Sequence, residues 1–98
     1  MVLEIVQLLV KDGQGLEFEK AMDSAKPLVT NSKGAIALRL QQCVEDRSKY
    51  FVLIEWETIE DHLEGFRNSD AFTKWREILS PYFAQPPHVE HFNEVKIP

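Results

Sequence analysis

Three histidines, His62, His88 and His91, are the side chains of this sequence best suited to moving a proton near neutral pH. Close to them in sequence stand Trp56, Phe66, Phe72 and Trp75, with Tyr50 and Tyr82 further off. His62 precedes Phe66 by four residues, so on a helix the two share a face. An imidazole beside an aromatic wall could act as a general base on a bound molecule, or it could be a solvated surface residue. His88 and His91 lie three apart and point to opposite faces of a regular strand, which argues against a shared metal site. His91 suits an interface between two copies of the chain. Trp56, Phe66, Phe72 and Trp75 read either as core or as pocket walls on which a flat aromatic molecule stacks. Cys43 has no activating neighbour and reads as an inert thiol.

The elements that position these groups come from a chain of 98 residues, enough for a single domain over 1–98. A chain of this size buries only about 60–65% of its unfolded surface, so it gains from a partner. With Asp+Glu 16 against Lys+Arg 11, the net charge of −5 and the scattered basic residues argue against nucleic acid. One cysteine forms no internal disulfide, which fits a reducing cytoplasm. The opening "MVLEIVQLLV" contains Glu4 and Gln7, lacks a basic leader and is too short to span a bilayer. It reads as a strand, and no membrane partner is expected.

That first strand covers Val2 to Val10 and stops at "KDGQG", a turn signal. From Leu16 the period becomes helical, with Phe18, Met22, Ala25 and Val29 on one stripe, and Pro27 is expected to kink or end the helix. Ala35 to Val44 alternates as a strand and, after "EDRSK", pairs with Lys49 to Glu57 as a hairpin. Thr58 is a helix N-cap candidate, and Ile59, Leu63 and Phe66 form the apolar stripe of a short helix. Ser69 caps a second one carrying Phe72, Trp75 and Leu79. A last strand runs from His88 to Val95. The fold class is α+β: a ferredoxin-like β-α-β-β-α-β order with the second helix split and a four-stranded antiparallel sheet, strands one and three central.

Alternation lists the two faces of that sheet. Val2, Val6, Leu8, Val10, Ile36, Leu38, Leu40, Tyr50, Val52, Ile54 and Trp56 belong under the helices. The other face holds Leu3, Ile5, Leu9, Ala35, Ala37, Phe51, Leu53 and Val89, interspersed with Gln7, Arg39, Gln41, Glu55, His91 and Asn93. Arg39 and Glu55 are expected to form a cross-strand ion pair. A second face that is half apolar marks an interface, and a two-fold homodimer packing sheet against sheet is the simplest solution.

"YFVLIEWET", then "FRNSDAF", then "LSPYFAQPPHVEHFNEV" occur in an order and spacing that resemble the antibiotic biosynthesis monooxygenase (ABM) domain over nearly the whole chain. The resemblance implies a dimeric α+β barrel with a pocket in each protomer between helices and sheet. Some members oxidise polycyclic phenols or quinols with molecular oxygen and neither metal nor flavin. Others degrade haem or process a small signalling sugar derivative, and the fold alone does not choose among these.

The chain departs from two subgroups. Members often carry a histidine six residues before the phenylalanine that matches Phe72, where this chain has Phe66, and another directly before it, where this chain has Ala71. In the haem-degrading subgroup an asparagine, a tryptophan and an iron-ligating histidine correspond to positions near Gln7, at Phe66 and at Arg76, and arginine does not ligate iron. The expected function is cofactor-independent monooxygenation of an aromatic phenol or quinol, with His62 as catalytic base and no cofactor or metal. The alternatives are a non-catalytic small-ligand-binding or dimerisation module, and processing of a small oxygenated metabolite in the same pocket.

Overall fold

A computed structural model describes all 98 residues. The elements are Val2–Leu9 (β1), Gly15–Thr30 (α1), Ala35–Gln42 (β2), Lys49–Trp56 (β3), a π-helical turn at Asp61–Gly65, a 3-10 turn at Phe66–Asn68, Asp70–Leu79 (α2), a 3-10 turn at Ser80–Tyr82, and His88–Phe92 (β4). The sheet order is β2-β3-β1-β4 and every neighbouring pair is antiparallel. The apolar strands β1 and β3 thus sit in the centre, as the hairpin and crossover arguments require. No helix is long and apolar enough to cross a membrane.

The helices lie on one face of the sheet, and the core forms between them. Val6, Leu8, Leu38, Tyr50, Val52, Ile54 and Trp56 are buried from the sheet side, and α1 answers with Phe18, Met22, Ala25 and Val29 at helical spacing. Each buried Val, Leu, Ile, Met or Phe side chain among them contributes about 1.5–3 kcal/mol by leaving water. Pro27 does not end α1, which runs on to Thr30. It removes one amide donor, but the Asn31 amide still reaches the Pro27 carbonyl at 2.9 Å and Val29 is anchored in the core. Gly34 has φ +82° in the turn before β2, and a Cβ there would run into the Asp61 carboxylate.

Register corrects several expectations about the faces. A bulge between Ala35 and Ala37 lets Ala35 pair with Trp56 on the helix side and turns Ile36 outward. Val89 lies opposite Val6 and His91 opposite Glu4, so both belong to the helix face rather than the bare one. β4 ends at Phe92, which leaves Asn93 outside the sheet. Glu90 and Phe92 take the outward positions instead, opposite Ile5 and Leu3. Arg39 pairs with Leu53 and Glu55 with Ala37, two residues further along, and the two form no ion pair. Leu3, Ile5, Phe51 and Leu53 remain on the bare face, only partly covered by their own neighbours.

Candidate functional site

The segment between β3 and α2 is where a regular helical period fails. The Thr58 hydroxyl caps it, accepting from the Asp61 amide at 3.1 Å, as expected. The Phe66 amide then reaches both the Asp61 and the His62 carbonyls, which widens the turn into π geometry. In that wider turn His62 and Phe66 face inward together, and Leu63 is left at the surface. Ser69 next caps α2, accepting from the Phe72 amide at 3.3 Å while its hydroxyl donates to the Phe66 carbonyl at 2.6 Å. One serine therefore ties the placement of both phenylalanines.

Between this segment and the sheet lies a cavity of about 740 Å³. Phe66, Phe72 and Trp75 form its aromatic wall, with Phe72 and Trp75 edge-on to Phe66 at centroid distances of 5.5 and 6.3 Å. Val6, Val52, Ile54 and Val89 supply apolar surface from the sheet. Arg67 and Arg76, both exposed, stand on the lining, with Arg76 over the Phe72 ring at 5.8 Å. A volume of this size with a mostly apolar wall and few polar groups suits a small organic ligand.

The polar groups are concentrated in one place. Glu4, on β1, is only 4% exposed and lines the cavity. Its Oε1 accepts from the Trp56 indole N–H at 2.9 Å, and His62 Nε2 stands 3.5 Å from the same oxygen. His62, 3% exposed, also lines the cavity and stacks on Trp56 at 5.3 Å with rings 16° apart. Its other nitrogen, Nδ1, meets His91 Nε2 at 2.8 Å. No three His, Cys, Asp or Glu side chains are placed to share a metal ion, since His62 turns opposite nitrogens to Glu4 and His91.

Burial shapes the protonation of this cluster. Loss of water raises the Glu4 carboxyl above its ordinary value, against the lowering effect of the Trp56 hydrogen bond and the Arg67 charge. Burial pushes His62 down to about 4, helped by Arg67 and His91, so its ring is neutral through the physiological range. His91 is lowered for the same first reason, with Arg67 adding to it. A neutral imidazole beside a carboxylate of raised proton affinity is an acid–base pair in low dielectric.

The structure therefore brings His62, Phe66, Phe72 and Trp75 to one cavity, as the sequence suggested. Trp56 is not a wall: it is fully buried behind His62 and holds Glu4. His62 is not a solvated surface residue, and His91 meets His62 from the helix side of the sheet. Glu4 was missed by sequence reasoning, although a signal existed. It occupies an inward register position of β1 between Val2 and Val6, where a carboxylate is costly unless specifically held.

Comparison with known proteins agrees with the geometry. A family model described as antibiotic biosynthesis monooxygenase matches residues 1–78. YczJ of Bacillus subtilis (strain 168), itself uncharacterised, is 43% identical over 95 residues, spanning 97% of this chain and 100% of that protein. A solved structure from Bordetella bronchiseptica, assigned to the antibiotic biosynthesis monooxygenases, superposes with a TM-score of 0.94 at 33% identity and covers 97% of each chain. SnoaB from Streptomyces nogalater, a cofactor-independent oxygenase, superposes with a TM-score of 0.83 at 14% identity, covering 98% of this chain and 94% of that one. At that identity the likeness speaks for the fold.

Proposed function

The chain belongs to the antibiotic biosynthesis monooxygenase family, and on that premise we propose that residues 1–98 act as one cofactor-independent monooxygenase domain on an aromatic phenol or quinol. The observation that supports the reading is a cavity whose walls are aromatic and whose buried polar groups gather around His62. The walls would hold a flat ring system, and the cluster would take a proton from the ring-activated carbon. The carbanion then passes one electron to oxygen, and substrate radical and superoxide combine to form a C–O bond. Protonation gives a hydroperoxide, and loss of water leaves a carbonyl. One oxygen atom ends in product and one in water, and all four electrons that reduce the oxygen come from the substrate carbon, whose two C–H bonds are replaced by the carbonyl.

Oxygen uptake with a panel of hydroquinones and anthrones tests this. Wild type is expected to consume oxygen with at least one of them, and His62→Ala to lose about tenfold or more of that rate, because it removes a side chain around which the buried polar groups gather. Absence of turnover across the panel favours the second reading, a small-ligand-binding module, which the replacement of the family histidines by Phe66 and Ala71 supports. Titration with haem is expected to give no spectral shift.

The homodimer belongs to the same proposal. The bare sheet face carries Leu3, Ile5, Phe51 and Leu53, with Phe92 45% exposed at its edge. A second copy packed sheet on sheet would cover it, completing the barrel in the cytoplasm that the lone Cys43 fits. Sedimentation at micromolar concentration should give a dimer, weakened at least roughly tenfold by Leu53→Glu, since each tenfold is only about 1.4 kcal/mol. A monodisperse monomer would overturn this part.

A further inference from the structure

Glu4 is a buried carboxylate that no packing argument requires. Its position on β1 is flanked by Val2 and Val6 on the same face, and an aliphatic side chain there would extend the core. Its hydrogen-bond and ion-pair contacts within the protein all run through Oε1. The indole of Trp56 can only donate, so Oε1 is committed as an acceptor. Glu4 lines the cavity, and no buried side-chain oxygen in the molecule lacks a partner, so Oε2 is the atom open to the void.

The ring of His62 can be assigned by charge. A lone pair turned toward a carboxylate at 3.5 Å would be repulsive, so the hydrogen belongs on Nε2, which stands in ion-pair range of Oε1. Nδ1 is then the acceptor, and the 2.8 Å contact to His91 is a hydrogen bond donated by His91 Nε2. In this arrangement neither nitrogen of His62 is available to a substrate. The 3.5 Å approach is longer than a good hydrogen bond and has room to tighten when a ligand excludes water.

We infer that Glu4 Oε2 is the base that takes the substrate's proton, that Trp56 and His62 hold Oε1, and that His91 fixes the tautomer of His62. The inference rests on the reading of the cavity as a phenol or quinol site, and it moves the catalytic role from His62 to Glu4. His62 and His91 become positioning residues. The substrate class narrows accordingly: the reacting carbon or hydroxyl must be uncharged before it meets Glu4, because an anion would be repelled there. In the step itself a C–H or O–H bond breaks, its electron pair stays with the substrate, and the proton forms an O–H bond at Oε2. Burial raises the proton affinity of the Glu4 carboxyl, and the Trp56 hydrogen bond and the Arg67 charge oppose that rise and favour the carboxylate form on which this step depends.

Proton abstraction can be measured without oxygen chemistry. Anthrone and 1,8-dihydroxyanthrone exchange their methylene hydrogens for deuterium in heavy water, and proton NMR under anaerobic conditions follows the rate. Wild type should accelerate exchange. Glu4→Gln, which keeps an acceptor for Trp56, should lose at least roughly 100-fold, the scale of a general base. Glu4→Asp, which retracts the carboxylate, should fall between the two and guards against a folding artefact. His91→Leu should lose about fivefold to tenfold, the worth of one hydrogen bond, and its ¹⁵N spectrum should show His62 as a tautomer mixture. His91→Gln, whose amide can donate to Nδ1, should restore both.

Exchange that persists in Glu4→Gln within about threefold of wild type, where catalysis by a base predicts far more, overturns the assignment. So does a wild type that accelerates no exchange. An unchanged rate and a single His62 tautomer in His91→Leu overturn the positioning role. Exchange in wild type without oxygen uptake keeps Glu4 as the base and removes the monooxygenase reading. Oxygen uptake that Glu4→Gln retains does the reverse.

Discussion

Two ends of the same sheet face bury a polar side chain, and they handle it in opposite ways. At one end Tyr50 is 1% exposed, its ring packed on Phe18 at 4.9 Å. Its hydroxyl nevertheless reaches the rim, donating to Glu19 Oε2 at 2.6 Å and accepting from Gln42 Nε2 at 3.2 Å. Both partners are exposed residues. At the other end the Glu4 carboxylate is kept inside, answered by the indole of Trp56 and left half unanswered toward a cavity. The first arrangement is what stability alone produces: apolar ring in, polar tip out. The second holds a largely desolvated carboxyl at the wall of a cavity, and that is characteristic of a site kept for chemistry.

The comparison breaks most visibly at Trp56. Its fully buried indole serves both core and carboxylate, so Trp56→Ala is expected to cost about 3–5 kcal/mol in urea unfolding. Trp56→Phe keeps most of the bulk and removes only the N–H, leaving Glu4 Oε1 with the longer His62 contact alone. A loss of about 1–3 kcal/mol should result, the cost of depriving a buried carboxylate of its one short hydrogen bond. If Trp56→Phe proves neutral, the hydrogen bond is not holding Glu4, and the two ends differ less than their geometry indicates.

The next largest effect is in pH. The unfolded chain protonates His62 near 6.5, whereas the folded chain resists until about 4. Between those values the unfolded state binds the extra proton, so stability is complete above 6.5 and falls as pH drops toward 4. The loss from His62 is on the order of 3 kcal/mol at most. His91 shifts in the same direction and adds to it. Glu4 opposes it, because its raised value lets the folded state hold a proton that the unfolded chain releases. The Tyr50 end breaks on the other side of neutrality. Its hydroxyl is pushed up to about 12 from 10, so its contribution is lost as pH rises across that window. Urea melts across pH should lose their acid limb in His62→Leu and their alkaline limb in Tyr50→Phe. An acid limb unchanged in His62→Leu would mean that the cluster is wetter than its burial implies.

Most of the fold was legible because its periodicities are clean. β1 and β3 alternate, α1 keeps a strict stripe, and Thr58 and Ser69 announce caps that form. What escaped were departures from period. The bulge at Ala35–Ala37 exchanges the faces of Ala35 and Ile36, and the π turn buries His62 in place of Leu63. Neither has a residue signature, since both follow from how neighbouring elements meet. β4 is short and half polar, so its register, and with it the side on which His91 lies, is set by pairing with β1. The site was half legible for the same reason. Its aromatic wall follows from helix spacing, whereas the Glu4–His62–His91 contacts join three segments across 29 and more positions of sequence.

The smallest effect is also the sharpest test, because its sign differs between the two ends. Tyr50→Phe removes a hydrogen bond made at the rim, and it is expected to lower stability by about 1 kcal/mol or less. Glu4→Gln removes a charge from the interior while leaving an acceptor for the Trp56 N–H. Desolvation is the largest influence on Glu4, so at neutral pH the neutral amide should be tolerated at least as well as the carboxylate. A gain of up to about 1 kcal/mol is the expected outcome, alongside loss of proton abstraction. A residue that weakens its own fold yet is needed for the reaction belongs to the site and not to the core. Should Glu4→Gln destabilise the protein as much as Trp56→Phe, the carboxylate would be structural after all, and the two ends of the sheet would differ only in depth.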